Sequence, residues 1–505
     1  MIDISLNVIS LIGVYMLCLV AWLTSENRKL VPWKLITWGI GTQFVMGFLI
    51  FVFPITRIGI EYLGSAINFL LDASETGARF LFTSLFVPPF AGKPPIQPTD
   101  LISPETGAVD YSYMIDPKTG FFNTDRISMP FIFAFRSLPQ VVFFSAIITL
   151  LYRMNAIQPV VGFFAKIFKR TLGTSGAESL SGAANIFVGI ESIVAVKPFL
   201  LNMTRSELCA ILASCFGSIS STVLGMYAGF LRPTFPNITG HLMAASLLTI
   251  PACFVISKII VPETGIPETM GMIPEEPDDP NVQKPSYMDA LIMGAMDGVK
   301  MAVGIAAVLI AILGCVALVN MLFKNLADLK DIKDSVYVND SLSPSIVSLI
   351  QSLSGVYNII LRGIGKIFET ISLDNLFGFF FLPLTFFTGV SLNMDELWQS
   401  SVLIGQRILQ TSIPPYIKLG KLSQAGEISD RAMVIISYVL CGFAHIPSIG
   451  IFVGGLTNMV PSRASEISSI AWKAMWAATL ATLMTGCIAG IFDFGSADVI
   501  GSTVK

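Results

Sequence analysis

Apolar segments about as long as a bilayer-crossing helix recur along almost the whole chain, from Leu6 to the region after Ile470. Such a helix needs about 20 predominantly apolar residues. The composition agrees, because 53% of the 505 residues are apolar and only 13% are charged, against about a quarter charged in an average soluble protein. The sequence therefore predicts an all-α polytopic membrane protein, with about eight transmembrane helices of this length.

Charge, cysteine content and motifs exclude several classes of function. A net charge of -3 leaves no basic excess, so no nucleic-acid partner is predicted. The seven cysteines stand singly in apolar segments and the chain has two histidines, which supports neither a disulfide framework nor a zinc site. No Walker A, GxSxG or HExxH motif occurs. We therefore predict neither an enzyme activity nor an organic cofactor.

The distribution of charge gives an orientation and divides the chain into six segments. Arg28, Lys29 and Lys34 lie on the first connection, which is therefore expected in the cytoplasm, with both chain termini outside. The predicted segments are N-terminal scaffold spans and an interfacial helix (1–86), an outer loop (87–128), a scaffold span followed by a first repeat (129–261), an acidic cytoplasmic loop (262–286), an interfacial helix, scaffold span and polar insert (287–371), and a second repeat (372–505).

Two stretches place polar residues and glycines inside apolar pieces that are too short to span. The first, 172–191, predicts a re-entrant hairpin, and the span after it is interrupted at 217–222. The second hairpin is predicted from Leu373–Val390 and Leu403–Leu419, and the span after it is interrupted at 442–448. A hairpin followed by a broken span thus occurs twice, which indicates inverted repeats. Interrupted segments at matching positions of two halves point to a transporter's binding site.

Four residues near these interruptions are candidates on chemical grounds. Glu191 lies in an apolar run, where a carboxylate at the bilayer centre costs at least ~2.5 kcal/mol, so it is expected to be functional unless it pairs with Lys197 or reaches water at a hairpin tip. Asn185 and Ser218 offer oxygen ligands for a monovalent cation, although such residues also join helices. His445 lies in the second break, as a ligand contact, a proton sensor or a structural residue.

The chain resembles the concentrative nucleoside transporter family in several ordered motifs between Leu11 and Phe492. The motifs that carry the resemblance are Gly173-Thr174-Ser175 with Glu178-Ser179, Ala184-Asn185-Ile186-Phe187-Val188-Gly189, Met203-Thr204-Arg205-Ser206-Glu207-Leu208, Leu440-Cys441-Gly442-Phe443-Ala444, and Gly454-Gly455-Leu456. The resemblance implies a homotrimer in membrane lipid, an elevator-type movement of the hairpins and broken helices, and coupling to sodium, with a proton as the alternative ion.

Position by position, the resemblance implies a complete cation site and an altered substrate site. The sodium ligands fall on Asn185, Val188, Ser218 and Ile219, all of which are present. The substrate positions that fall on this chain are Ile190, Glu191, Val223, Ser412, Phe443, His445 and Ser448. Ser412 stands where the family has a ribose-binding carboxylate, His445 replaces an amide, and the hairpin around Ile190 is one residue shorter.

These observations lead to one functional hypothesis and two rivals. The hypothesis is a sodium-coupled symporter that imports nucleosides or nucleoside-like solutes across the plasma membrane, expected to be a bacterial inner membrane. The rivals are a symporter of another small polar solute and a non-transporting receptor or assembly protein of the same fold. The loss of buried hydrogen-bonding partners, each worth about 1 to 3 kcal/mol, predicts weak binding of ordinary ribonucleosides.

Overall fold

The described part of the protein is helical throughout. The structure is a computed structural model, and it describes residues 4–87, 132–187, 189–219, 221–271, 286–328 and 372–495. Every regular element in these ranges is a helix, which confirms the all-α prediction. Most of the predicted outer loop, most of the acidic loop and almost all of the polar insert lie outside the described residues, as does Val188.

The described helices are numbered here in chain order. They are α1 (Ile4–Leu23), α2 (Trp33–Phe51), α3 (Pro54–Phe86), α4 (Phe133–Arg153), α5 (Gln158–Leu172), α6 (Gly176–Ala184), a 3-10 helix (Ile190–Phe199), α7 (Arg205–Gly217), α8 (Ser221–Leu231), α9 (Ile238–Ile260), α10 (Tyr287–Asp328), α11 (Leu373–Phe387), α12 (Met394–Leu409), α13 (Ile413–Gln424), α14 (Asp430–Leu440), α15 (Ile446–Met459) and α16 (Ala464–Ile491). By length and composition, six of the described helices could cross a membrane: α1, α2, α4, α9, α10 and α16.

Helices α9 and α16 form the centre of the molecule, and α10 lies at its edge. In the apolar segments of α9 and α16, 89% of the residues are buried, against 6% in α10. Helix α10 packs along α4, where a Cβ atom added at Gly298 would lie 2.7 Å from the Cα of Val142. Helices α1 and α2 pack on α9 and α16. The described residues thus cover little of the apolar surface of α10, which suits contact with lipid or with another protein chain.

Capping boxes begin two short helices of the first repeat. At the start of α6, the Glu178 N–H donates to Ser175 Oγ at 3.3 Å, and the Ser175 N–H donates to Glu178 Oε2 at 2.9 Å. Thr204 and Glu207 form the same pair of bonds at the start of α7. These bonds satisfy N–H groups that a buried helix start would otherwise leave without acceptors. They explain why the polar motifs quoted above lie between apolar segments.

The second hairpin differs from the prediction in its arms. Its arms are α12 and α13, whereas Leu373–Phe387 is a separate helix, α11, packed against α12. Helix α11 ends before Gly389, which has φ +71°, and Asn393 then caps α12 by accepting from the Asp395 N–H at 2.9 Å. The predicted arms were wrong because the chain breaks around Gln410, between α12 and α13, inside the stretch Leu403–Leu419 that was predicted as one arm.

The start of the second half also differs from the prediction. Residues 287–300 were predicted as an interfacial helix separate from the span that begins at Met301, but the structure has one uninterrupted helix of 42 residues, α10. No proline interrupts this segment, and Gly294 and Gly298 lie against α4 instead of ending the helix. The amphipathic stretch and the apolar stretch are therefore consecutive parts of one helix.

Candidate functional site

The two interrupted spans meet at the centre of the molecule. Helix α7 ends at Gly217 and Ser218 is extended, with φ -97° and ψ 163°. Helix α14 ends at Leu440, and α15 begins only at Ile446. A Cβ atom added at Gly442, which has φ +147°, would lie 2.5 Å from the carbonyl oxygen of Gly217. Both breaks occur where the sequence predicts them, and only glycine allows this contact between them.

The first break contains buried oxygens that lack hydrogen-bond donors. Asn185 ends α6, and its amide nitrogen donates to Ser214 Oγ at 3.3 Å, which aims the carboxamide at α7. The side-chain oxygens of Asn185, Ser218 and Ser181 are buried and have no partner among the described residues. A buried polar atom without a partner costs about 1 to 3 kcal/mol. Such a cost is removed when a cation or a donor binds there.

Backbone groups at this break favour a cation in particular. The end of α7 carries the negative pole of a half-helix, and carbonyls freed by unwinding are the groups with which transporters coordinate sodium. The Ile219 N–H donates to Ser246 Oγ of α9 at 3.4 Å, which fixes the backbone next to Ser218. The oxygens of Asn185 and Ser218 therefore fit a hard monovalent cation. Asn185 and Ser218 both bond to Ser214, since the Asn185 amide donates to Ser214 Oγ and the Ser218 N–H donates to the Ser214 carbonyl at 3.1 Å.

A cavity of about 120 Å³ lies between the first hairpin, α8, α10, the tip of the second hairpin and the second break. Val223, Phe443, His445 and Ser448, all predicted from sequence, line it. Gly189 lines it as well, directly before Ile190 and Glu191. The side chains of Ile190 and Glu191 are not among those that the structure describes, so their roles stay predictions.

Ser412 lies beside the cavity and not in its wall. Its neighbours Thr411 and Ile413 line the cavity, whereas the Ser412 hydroxyl is buried and donates to the carbonyl oxygen of Gly442 at 2.8 Å. This bond joins the tip of the second hairpin to the second break. Ser412 thus supports the backbone that carries Phe443 in this structure.

The polar side chains of the cavity wall are largely bonded to one another. His445 caps α15, and its ring accepts from the Ser448 N–H at 3.3 Å, with Ser448 Oγ 2.8 Å from Nδ1. Thr411 Oγ1 accepts from the Ile413 N–H at 3.3 Å. The rest of the wall is mainly apolar and aromatic. A ligand here meets surfaces for stacking and few uncommitted hydrogen-bonding groups.

Sequence analysis missed three features of the site. Tyr227 lines the cavity one helical turn after Val223 and stacks on Tyr416, with ring centroids 4.5 Å apart; the four-residue spacing from Val223 could have indicated it. Thr411 lies in the predicted interior of the second hairpin but was not singled out. Arg407 of α12 is fully buried next to the second break, and a charge within a predicted hairpin arm was the signal that could have identified it.

Two hairpins, two broken helices that touch, and a cavity where they meet define a secondary transporter built from inverted repeats. The comparisons with known proteins give the family. Residues 12–85 and 241–490 match the models described as the N-terminus and C-terminus of the Na+ dependent nucleoside transporters, and residues 134–234 match a model described as nucleoside recognition. The chain belongs to the concentrative nucleoside transporter family.

Relatives and a solved structure extend the likeness to almost the whole chain. An uncharacterized transporter of Haemophilus influenzae is 29% identical over 96% of this chain and 97% of its own length. Sodium/nucleoside cotransporter 2 of Rattus norvegicus is 26% identical over 96% of this chain, which covers 62% of that relative. The structure of CNTnw in an inward-facing substrate-bound state superposes with a TM-score of 0.72 at 27% identity, covering 96% of this chain and 98% of that one.

Proposed function

We propose that this protein is a sodium-coupled symporter that imports nucleosides or nucleoside-like solutes across the plasma membrane. The observation that carries the proposal is the group of buried oxygens without donors at the first break, adjacent to the break that lines the cavity. The relative named as a sodium/nucleoside cotransporter supports sodium as the coupling ion. A proton is the alternative, and a bacterial inner membrane with both termini outside is part of the proposal.

In the proposed mechanism, the side-chain oxygens of Asn185 and Ser218 and the backbone carbonyls of Val188 and Ile219 would coordinate sodium. Its binding would fix the end of α6 relative to the end of α7. Because Gly217 and Gly442 touch, this order would extend to the backbone that carries Phe443. Coupling then means that the free-energy cost of bringing the substrate cavity into its binding geometry is lower when the cation site is filled.

The substrate would be held mainly by its planar base. Phe443 would stack on the ring while Val223 contacts its edge, and Glu191 is the carboxylate available for ribose hydroxyls. The ring of His445 and the hydroxyl of Ser448 already bond to each other, which favours a solute that makes few hydrogen bonds at this wall. A nucleoside-like solute with fewer hydroxyls than an ordinary ribonucleoside fits this cavity better than a free sugar does.

The proposal includes a homotrimer in which the hairpins and broken helices move against a scaffold. The exposed apolar surface of α10, including Ile310, Leu318 and Met321, supports contact with other copies or with lipid. Mass measurement of the detergent-purified protein, with the detergent contribution subtracted, tests this part. A monomer under conditions that preserve sodium-dependent stabilisation would contradict it.

Uptake into proteoliposomes tests the function. Uridine, adenosine and their 3'-deoxy analogues are offered outside, with an inward gradient of sodium or of choline at equal ionic strength. We expect accumulation in sodium only, abolished by a sodium ionophore, and little preference for the 3'-hydroxyl. Equal uptake in choline would overturn sodium coupling, and accumulation driven by an imposed pH gradient in choline would favour the proton.

A further inference from the structure

Arg407 carries a buried positive charge that the proposed transport cycle leaves unexplained. It lies on α12, in the first arm of the second hairpin, and no part of its side chain is exposed. A guanidinium stays protonated under all physiological conditions. Burying such a charge is costly unless something nearby compensates it. The position therefore demands a partner of negative or partly negative charge.

The acceptors around Arg407 are those that a bound metal cation would use. Nη1 donates to the backbone carbonyl of Val439 and to Thr482 Oγ1, the latter at 2.9 Å. Nε and Nη2 have no acceptor among the described residues. The carboxylate of Asp374, on α11, accepts from Gln406 at 2.8 Å and from Gln410 at 3.2 Å. The acceptors of the Arg407 guanidinium are thus a carbonyl and a hydroxyl, and no carboxylate of the described residues bonds to it.

The place of Arg407 in the fold repeats that of the candidate cation site. Val439 is the second-last residue of α14, the half-helix that ends at the second break, and a half-helix ends in a negative pole. In the first repeat the equivalent end is that of α7, where Asn185 and Ser218 present oxygens without donors. In each repeat, a hydroxyl of the last helix accepts a hydrogen bond beside the break: Ser246 of α9 accepts from the Ile219 N–H, and Thr482 of α16 accepts from Arg407.

We propose that Arg407 is a tethered cation that permanently occupies the second repeat's counterpart of the cation site. The protein would therefore cotransport one sodium ion per substrate, bound at the first break only. This inference rests on the sodium coupling of the proposed function. In this role Arg407 is a positioning residue, because it acts on the second break and its cavity wall through Val439 and does not line the cavity.

The first experiment counts sodium ions in the unmodified protein and needs no variant. Proteoliposomes receive sodium-22 and tritiated uridine, and the initial uptake ratio is measured together with the sodium dependence of uptake. We expect a ratio of one and a hyperbolic sodium curve. A ratio of two would overturn the inference while leaving sodium coupling intact, whereas uptake without any sodium dependence would overturn the proposed function itself.

The second experiment tests whether uptake depends on the charge of the Arg407 side chain or on its shape. Arg407→Ala leaves space for a free guanidinium ion, and urea is its neutral counterpart of similar size. We expect Arg407→Ala to lose most uridine uptake, to regain it several-fold in millimolar guanidinium and not in urea, and Arg407→Lys to keep it. Equal rescue by urea, or full activity of Arg407→Gln with an unchanged sodium curve, would overturn the inference.

Arg431 provides the matched control, because it is an arginine at the start of α14, the half-helix whose other end Arg407 bonds. It bonds to the Gly389 carbonyl and to Asn7, away from the break. Arg431→Ala is expected to lower thermal stability without changing the sodium ratio and without a selective response to guanidinium. If Arg407→Ala does not fold, the Lys and Gln variants and the sodium count of the unmodified protein still decide the question.

Discussion

The two helix breaks touch each other but differ in how their polar atoms are satisfied. At the first break, the side-chain oxygens of Asn185 and Ser218 are buried and have no donor in the part of the chain that the structure describes. At the second, Ser412 bonds the carbonyl of Gly442, and His445 bonds Ser448. A break that serves an exchangeable ion keeps ligand atoms free at a cost in stability. At a break that forms a cavity wall, the polar atoms bond to other protein atoms and hold the backbone in place.

This difference separates coupling from substrate recognition. The cation site depends on a few oxygens whose loss cannot be compensated by packing. The cavity depends on Phe443, Tyr227 and the apolar residues around them, so its selectivity follows shape and stacking. Changes at the first break should therefore alter sodium dependence strongly, and changes at the second should alter affinity for the solute in smaller steps.

The largest effect is expected where the breaks touch. Gly442→Ala would put a Cβ atom 2.5 Å from the Gly217 carbonyl oxygen at a residue with φ +147°, so both the contact and the backbone conformation are unfavourable. We expect a loss of a few kcal/mol of stability, seen as a large fall in thermal midpoint or in yield of folded protein.

Gly426→Ala is the control for this substitution. Gly426 also has positive φ, +71°, but no atom lies within 4 Å of the added Cβ. The control should therefore show the backbone cost alone. Equal losses for Gly426→Ala and Gly442→Ala would mean that the contact between the breaks contributes nothing.

The next effect concerns the cation site itself. Asn185→Ala and Ser218→Ala each remove one buried oxygen, and the loss of about 1 to 3 kcal/mol of interaction predicts a sodium affinity weaker by roughly 5- to 150-fold. Sodium titrations of uptake and of thermal stability measure this directly.

Ser437→Ala is the matched control in the second repeat. Ser437 lies three residues before the end of α14, as Ser214 does in α7, and both hydroxyls donate to a carbonyl three residues earlier at 2.7 Å. Its removal should leave the sodium affinity unchanged. An equal shift for Ser437→Ala and Ser218→Ala would remove the distinction between the two breaks.

The breaks could be predicted from sequence because Gly, Ser and Pro interrupt apolar runs whose backbone must otherwise stay helical in a membrane. Contacts between residues far apart in the sequence could not be predicted in this way. The bond from Ser412 to Gly442 joins residues 30 positions apart, so the sequence suggested a ligand where the structure has a support. The arms of the second hairpin were misplaced because its tip, around Gln410, lies inside the stretch Leu403–Leu419 that the apolar pattern joins into one arm.

A smaller effect is expected at the cavity wall. Phe443→Ala removes a stacking surface worth about 0.5 to 1.5 kcal/mol, which predicts an affinity for uridine weaker by roughly two- to tenfold with an unchanged sodium affinity at saturating substrate. Phe379→Ala serves as the control, since Phe379 is 71% exposed and lies away from the cavity. A strong loss of sodium affinity in Phe443→Ala would show that the two breaks cannot be separated functionally.

The smallest effect is expected at Glu26, on the α1–α2 connection, whose carboxylate accepts bonds from Arg205 of the first repeat and Lys473 of the second. The hydrogen bond from Arg205 is the main cause that lowers the pKa of Glu26 below its ordinary value. Its stabilisation is therefore present above the ordinary glutamate pKa and is lost as the pH falls through the lowered value.

Glu26→Gln should accordingly cost about 0.2 to 1 kcal/mol at neutral pH and low salt, less at high salt, and progressively less in acid, because the ion pairs are partly exposed. Thermal midpoints of the two proteins, measured across pH and salt, give this difference. Asp297→Asn, which removes an almost fully exposed pair with Lys300, should change nothing measurable. A cost for Glu26→Gln that persists unchanged in acid would mean that Glu26 holds the repeats together by packing.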